Sequence, residues 1–235
     1  MADIDNPVDL SDYADIIAKN PHNDGKNWDL SCYDGLKKHV KRHYTDLQDD
    51  ICFYCKIDIN YAGYLEPIEH IVPKSDKPEW MFEPKNLAIS CNICNTKKNA
   101  DNTLSATGRK CINYPTKTNG FLIYHPHFDT WSTHFEEFHQ FFLKAKTDKG
   151  RETFKVCELY RLDLPLNKAK KKNLKGEPFK IRIIQKVLMD PSITDEIKEQ
   201  CSEIVKEIIR RAENKRAILR NKANPDGTHI PGLKP

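Results

Sequence analysis

Several features that mark whole classes of protein are missing from this sequence. Hydrophobic residues make up only 38% of its 235 residues, and no apolar run approaches the ~20 residues a membrane-spanning helix needs. Met1-Ala-Asp-Ile-Asp-Asn-Pro7 has neither a basic n-region nor an apolar stretch, so no secretory signal is expected there. No Gly-x-x-x-x-Gly-Lys-Ser/Thr loop is present, which excludes P-loop hydrolysis of ATP by this chain. No Gly-x-Ser-x-Gly elbow is present, which excludes the usual serine hydrolase arrangement. No internal repeat occurs. A strong charge bias is also lacking: the net charge is +4, too small to name a partner. These absences predict a polar cytoplasmic protein with a modest core and reduced thiols, not associated with membranes.

The charge that is present is unevenly placed. The first 36 residues hold eight aspartates against two lysines. Basic clusters follow at Lys37–His43, Lys168–Lys175 and Lys206–Lys222. Such stretches are either solvated helix faces or phosphate footprints. Lys37, Lys38, Lys41 and Arg42 form the cluster most expected near a phosphate backbone, because they immediately precede the richest motif of the chain.

Periodicity predicts a short helix at 11–19, broken by Asn20-Pro21, and an amphipathic helix at 33–47 with Leu36, Val40, Tyr44 and Leu47 on one stripe. Two short strands are expected at 57–61 and 64–71, on either side of Ala62-Gly63. Asn86-Leu-Ala-Ile-Ser90 then runs into a helix from Asn92 to about Leu104. Further on, a strand is expected at 120–124, and 141–146 and 151–155 read as a hairpin around Asp148-Lys149-Gly150. Helices are expected at 178–189 and 192–222, after a linker at 168–176. The fold class is therefore α+β. A small motif at 50–105 stands between a helical segment at 1–49 and a mostly helical region with a small hairpin at 106–235.

Eight cysteines are the most informative residues. Cys52-Phe-Tyr-Cys55 and Cys91-Asn-Ile-Cys94 are two C-x-x-C turns, and each places two sulfurs on one side of an ion. Together they predict one tetrahedral structural zinc site that closes the intervening segment into a loop. A redox dithiol would explain one pair and leave the other without a purpose. Cys32, Cys111, Cys157 and Cys201 have no partner at ligand spacing and are expected to be packed thiols. His125, His127, Asp129 and His134 lie in a Pro- and aromatic-rich connection, expected to pack against the motif rather than to bind metal. Phe135, Phe138, Phe141 and Phe142 are expected in the core.

Inside the closed loop stand Glu69-His70, Asn86 and, one residue after the last knuckle, Asn95. A neutral imidazole can take a proton from water, and a carboxylate can hold a hard divalent cation. The pair carries a geometric tension, since neighbours on a regular strand point to opposite faces. Both can serve one site only where the strand ends or twists, which Pro67 and Pro73 permit.

The run Cys52-x-x-Cys55, Glu69-His70-Ile-Val-Pro73, Asn86-Leu87, Cys91-x-x-Cys94-Asn95-x-x-Lys98 resembles the HNH endonuclease family, in its zinc-knuckled ββα-metal form. The spelling Ile68-Glu69-His70, Pro73-Lys74-Ser75 and Cys94-Asn95 is similar to HNH proteins of bacterial anti-phage systems, including Septu-type and retron-associated nucleases. The resemblance covers about residues 50–100. It implies His70 as general base, Asn86 as the residue that orients it, Glu69 and Asn95 as ligands of a catalytic Mg²⁺ or Mn²⁺, and Lys98 and Lys97 near the nucleic acid. Many family members carry histidine at the position of Asn95. The implied activity is metal-dependent hydrolysis of DNA phosphodiester bonds, with an ATPase partner or a second copy of the chain controlling or completing the cut. An RNase with the same centre, or a zinc-stabilised binding module without catalysis, are the alternatives.

Overall fold

The computed structural model describes residues 2–59, 67–138 and 142–161, with isolated positions beyond. The chain divides into two compact units, 1–172 and 173–235. Every element named below belongs to the first. The helices expected at 178–189 and 192–222, the 168–176 linker and Cys201 lie outside the described residues, apart from isolated positions.

The first unit mixes short helices with two small antiparallel ribbons. A 3-10 turn at Ser11–Tyr13 leads into α1 (Ala14–Lys19), which stops at Asn20 as Asn20-Pro21 requires. Helix α2 spans Asp34–Leu47 and buries Leu36, Val40 and Tyr44, three residues of the expected stripe. The fourth, Leu47, stays 37% exposed, because the helix ends there and its last turn leaves the core.

Strand β1 (Ile68–His70) pairs antiparallel with β2 (Leu87–Ile89), in the register Ile68 opposite Ile89, Glu69 opposite Ala88 and His70 opposite Leu87. The described residues of the strand expected at 57–61 do not pair with β1. Asp58 bridges to Ile51 instead, Cys52 N–H donates to the Ile57 carbonyl at 3.0 Å, and Ile59 N–H to that of Asp50 at 2.9 Å. The segment folds back around the first knuckle because the C-x-x-C turn closes its own hairpin. Residues 60–66 lie outside the described set.

Helix α3 runs Asn92–Lys98, shorter than the sequence suggested. Asn99 takes φ 44°, a left-handed conformation that ends the helix. Leu104 then makes one bridge to Phe121, and this is all that forms of the strand expected at 120–124. Helix α4 (Trp131–His134) precedes the second ribbon, β3 (Phe135–Phe138) with β4 (Phe142–Ala145). Asp148-Lys149-Gly150 is not a hairpin turn. It opens helix α5 (Asp148–Val156), capped by the Thr147 hydroxyl, which accepts from Gly150 N–H at 3.1 Å. Gly150 is needed for close approach, since a Cβ there would lie 2.4 Å from the His134 carbonyl oxygen.

The core runs from the N-terminal segment through α2 and both knuckles to Phe135 and Cys157. Phe135 is buried as expected; the side chains of Phe138, Phe141 and Phe142 lie outside the described set. Cys157 is a buried thiol, but Cys32 is exposed and Cys111 half-exposed, so two of the expected packed thiols are not packed. Tyr44 ties three segments together. Its hydroxyl donates to the Pro84 carbonyl at 2.7 Å and accepts from Val8 N–H at 3.1 Å. Tyr44→Phe leaves the buried Val8 N–H unpaired, while the Pro84 carbonyl keeps the Leu87 N–H, and should cost about 1–3 kcal/mol in urea unfolding with the slope unchanged.

Candidate active site and metal centre

The four knuckle sulfurs converge. Cys52, Cys55, Cys91 and Cys94 are all buried and their Sγ atoms lie within 4.8 Å of one another. Cys55 Sγ and Cys91 Sγ stand 3.8 Å apart. A tetrahedron of zinc–sulfur bonds of about 2.3 Å has edges of roughly 3.8 Å, so the cluster fits zinc. Burial opposes ionisation of Cys52, yet hydrogen bonds from the other three cysteines hold its thiol well below the usual range. Four thiolates around one Zn²⁺ carry a net double negative charge. Arg161, itself buried, sends its Nη2 to Cys94 Sγ at 3.2 Å and lies 3.9 Å from Cys91 Sγ. That cation offsets the charge where water cannot, and nothing in the spacing of the sequence announced it.

The clamp fixes both ends of the site. Cys91 stands at the end of the β2 segment and caps α3, its sulfur accepting from Cys94 N–H at 3.4 Å. Helix α3 is thereby held beside strand β1. Glu69 points toward it: Glu69 Oε1 pairs with Lys98 Nζ at 2.9 Å and accepts from the Tyr54 hydroxyl at 3.4 Å. Both members of the ion pair are almost wholly buried. Burial raises the Glu69 carboxyl above its ordinary pKa, against the pull of the Lys98 charge. Glu69 Oε2 is buried with no hydrogen-bond partner among the described residues. An unsatisfied carboxylate oxygen costs free energy unless a proton or a cation meets it, so this donor suits a hard divalent ion. Asn95 is half-buried on α3, one turn before Lys98.

His70 closes β1 and turns the other way, as the alternation of a strand demands. Its ring meets Trp28 edge-on at 4.5 Å between centroids. Its Nε2 lies 3.1 Å from the Met81 carbonyl, which can only accept, so Nε2 carries the proton and Nδ1 keeps the lone pair. Burial, helped by the charges of Lys74 and Lys98, lowers its pKa to about 3. The imidazole is therefore neutral at physiological pH. The tension between Glu69 and His70 is settled by divergence: the two side chains leave the strand end on opposite faces, and the Lys98 charge is felt by both.

Asn86 is the clasp of the loop between the strands. It is completely buried, and all four bonding positions of its amide are used. Oδ1 accepts from Val72 N–H at 2.7 Å and from the Tyr114 hydroxyl at 3.1 Å. Nδ2 donates to the Val72 carbonyl at 3.1 Å and to the Trp80 carbonyl at 3.0 Å. Val72 is two residues beyond His70, and Trp80 immediately precedes Met81. One side chain thus fixes both the strand end and the carbonyl that orients the imidazole. Tyr114 is a residue of this site that sequence reading missed, since a lone tyrosine in a loop carries no motif.

The remaining expected site residues are dispersed. Lys98 is buried on Glu69 and not exposed for a phosphate. Lys97 pairs with Glu158 at 2.7 Å and Lys37 with Asp34 at 2.7 Å. Lys38, Lys41 and Arg42 are exposed on α2. Lys38 and Arg42 follow the buried Leu36 and Val40 by two residues, or about 200° of helix, and so face away from the core. The structure does not gather them with Glu69 and His70. Among the described residues the four cysteines are the only cluster of this kind that could hold a metal, and the His125–His134 connection packs against the motif. His127 donates from Nε2 to the Leu87 carbonyl at 2.9 Å.

Two outcomes follow. Purified protein should carry about one zinc per chain by elemental analysis, and Cys55→Ser should lose both the metal and the cooperative thermal transition. Burial lowers the pKa of His127 to about 4, the hydrogen bond to Leu87 opposing. The unfolded chain takes up that proton near pH 6.5, so the stability tied to it is complete above pH 6.5 and is lost as pH falls toward 4. The loss should approach about 3 kcal/mol, and His127→Gln should flatten that part of a Tm-against-pH curve relative to wild type.

With this geometry in place, comparison with known proteins is direct. Residues 52–101 match the HNH endonuclease family model. The Septu protein PtuB of Bacillus thuringiensis is 28% identical over 127 residues, 54% of this chain and 43% of that protein. The retron Vc95 HNH endonuclease candidate of Vibrio cholerae serotype O1 biovar El Tor is 33% identical over 109 residues, 40% of this chain and 52% of that protein. The chain thus spans about half the length of these relatives or less. From Cys52 to Asp101, the chain is thus similar to HNH endonucleases, and the four-cysteine cluster described above lies within the matched span.

Proposed function

We propose that the chain is a metal-dependent endonuclease that hydrolyses DNA phosphodiester bonds, with the module at 50–105 as its catalytic part. The observation that carries this reading is the state of His70. Its one N–H is spent on the Met81 carbonyl, so Nδ1 is left as a fixed, neutral proton acceptor. In this mechanism Nδ1 takes the proton of the attacking water. Asn86 keeps the imidazole from rotating by holding the loop that carries Met81. Glu69 Oε2 and the Asn95 amide oxygen are the groups that would hold a Mg²⁺ or Mn²⁺ ion, which would supply positive charge to the scissile phosphate and the leaving 3′ oxygen. Lys98 keeps the buried Glu69 carboxylate ionised, a role its position supports better than contact with phosphate. The products are 5′-phosphate and 3′-hydroxyl ends.

One such centre cuts one strand. Double-strand cleavage therefore needs a second copy or a partner, and an ATPase is the partner proposed, since this chain has no P-loop of its own. The names of the relatives, one from a Septu system and one from a retron, support a place in cytoplasmic anti-phage defence. No helix among the described residues is long and apolar enough to cross a membrane. Lys38, Lys41 and Arg42 remain the proposed contacts to the nucleic-acid backbone, with Lys37 and Lys97 released from their exposed ion pairs on binding.

One observation favours a second reading. Glu69 and Lys98 close on each other away from solvent, as they would in a zinc-stabilised binding module without catalysis. The deciding experiment is nicking of supercoiled plasmid, with a labelled RNA in parallel. Wild type should cut DNA with Mg²⁺ or Mn²⁺ and not with EDTA, and His70→Ala should lower the rate by about 10²–10⁴-fold. Equal rates for wild type and His70→Ala would remove the mechanism, and cleavage of RNA alone would move the substrate. A folded, zinc-loaded protein inert on both would leave the binding module.

A further inference from the structure

Behind Asn86 stands a directed chain of hydrogen bonds. His127 N–H donates to His125 Nδ1 at 3.3 Å, which places the imidazole proton of His125 on Nε2. That Nε2 lies 2.8 Å from the Tyr114 hydroxyl oxygen and donates to it. The single proton of Tyr114 is then free to go forward to Asn86 Oδ1 at 3.1 Å, the nearer of its two acceptors, the other being the Lys85 carbonyl at 3.4 Å. His125 is fixed in turn by its own backbone: its N–H donates to Asp129 Oδ2 at 2.9 Å, and Lys149 Nζ holds the same carboxylate oxygen at 2.9 Å. Tyr114, Asn86 and His125 are all buried, so water does not take over a missing link.

We propose that Tyr114, backed by His125, is a positioning residue for His70. It acts through Asn86 by holding the amide, and with it the Trp80–Met81 backbone, in the one arrangement that presents the Met81 carbonyl to the imidazole. The inference rests on the reading of His70 as the general base. The ring of Tyr114 packs edge-on against Trp80 at 5.3 Å and beside Phe121 at 5.5 Å, contacts that phenylalanine would keep. Tyr114→Phe therefore deletes the link and leaves the packing. Loss of the forward bond leaves Asn86 Oδ1 one donor short and lets the loop drift relative to the strand end. A misplacement of an ångström at a reacting group is worth up to about 10²-fold in rate.

The test uses the full zinc-loaded chain. Nitrogen-15 spectra of labelled histidine report which ring nitrogen of His70 carries its proton and how fast that proton exchanges. In wild type the Nε2–H form should be the sole tautomer. In Tyr114→Phe exchange of that proton should accelerate by about tenfold or more, and kcat for plasmid nicking should fall by about tenfold with KM unchanged. His125→Leu should reproduce both changes, while His125→Gln, whose amide can still donate to the tyrosine, should restore them at least in part. Unchanged exchange and unchanged kcat in Tyr114→Phe would overturn the proposal. If that variant does not fold, the contrast between His125→Leu and His125→Gln decides in its place. If wild type cuts no nucleic acid, the proton-exchange readout still decides the positioning role, while the nuclease reading fails separately.

Discussion

Four sulfur atoms set the geometry on which everything else in the module depends. Cys52 and Cys55 belong to a hairpin that closes on itself, and Cys91 and Cys94 open α3, so the cluster joins segments 36 positions apart in the chain. The ribbon they brace has only three residues on each strand. So short a ribbon is not independently stable in water. A structural zinc site contributes on the order of 10–16 kcal/mol to the folding of small peptides, comparable with or larger than the whole stability of a typical domain at about 5–15 kcal/mol. A zinc ion held by the four sulfurs would add a large stabilising term at the knuckles, and Arg161 would supply the countercharge that makes a buried tetrathiolate tolerable.

With α3 fixed against β1, the chemistry follows from two buried polar arrangements of different character. The Glu69–Lys98 pair is ionic, and removing either partner from such a pair costs about 3–5 kcal/mol because the survivor is left charged in a dry site. The Asn86 clasp is neutral, and fully satisfied. A fully satisfied network gives rigidity without a desolvated charge. The two arrangements serve opposite faces of the same three-residue strand. One side holds a carboxylate with an oxygen to spare. The other holds an imidazole in one tautomer. The proposed mechanism requires a phosphodiester to lie across the strand end, the one place where side chains on opposite faces could both reach it.

The legible part of this architecture was the part carried by covalent spacing. C-x-x-C turns, Glu69-His70 and Asn86 were readable because metal and acid–base chemistry fix residue type and separation in sequence. Helix α2 was readable because Leu36, Val40 and Tyr44 repeat at helical spacing. The strand expected at 57–61 is reduced, in its described residues, to a single bridge, because the knuckle turns that segment back on Ile51. Asp148-Lys149-Gly150 was misread because turn chemistry and helix-cap chemistry use the same residues, and only Thr147 and the close approach of Gly150 to His134 tell them apart. Lys98 was placed at the surface because lysines are there by habit; its burial depends on a carboxylate 29 positions away, which no local pattern reveals. Tyr114 and Arg161 were silent for the same reason, since each acts through contacts distant in sequence.

The central claim is that one sulfur-bound scaffold brings the Glu69 carboxylate and the His70 imidazole to a single phosphodiester. Anomalous diffraction from crystals of the His70→Ala protein, grown with zinc and soaked with Mn²⁺ and a short DNA duplex, tests it most directly. The account predicts a zinc signal among Cys52, Cys55, Cys91 and Cys94, and a separate manganese signal at Glu69 and Asn95 with a phosphate bound to it, beside the space vacated by the imidazole. A manganese signal absent from Glu69, with the carboxylate still closed on Lys98 while DNA is bound elsewhere, would contradict it.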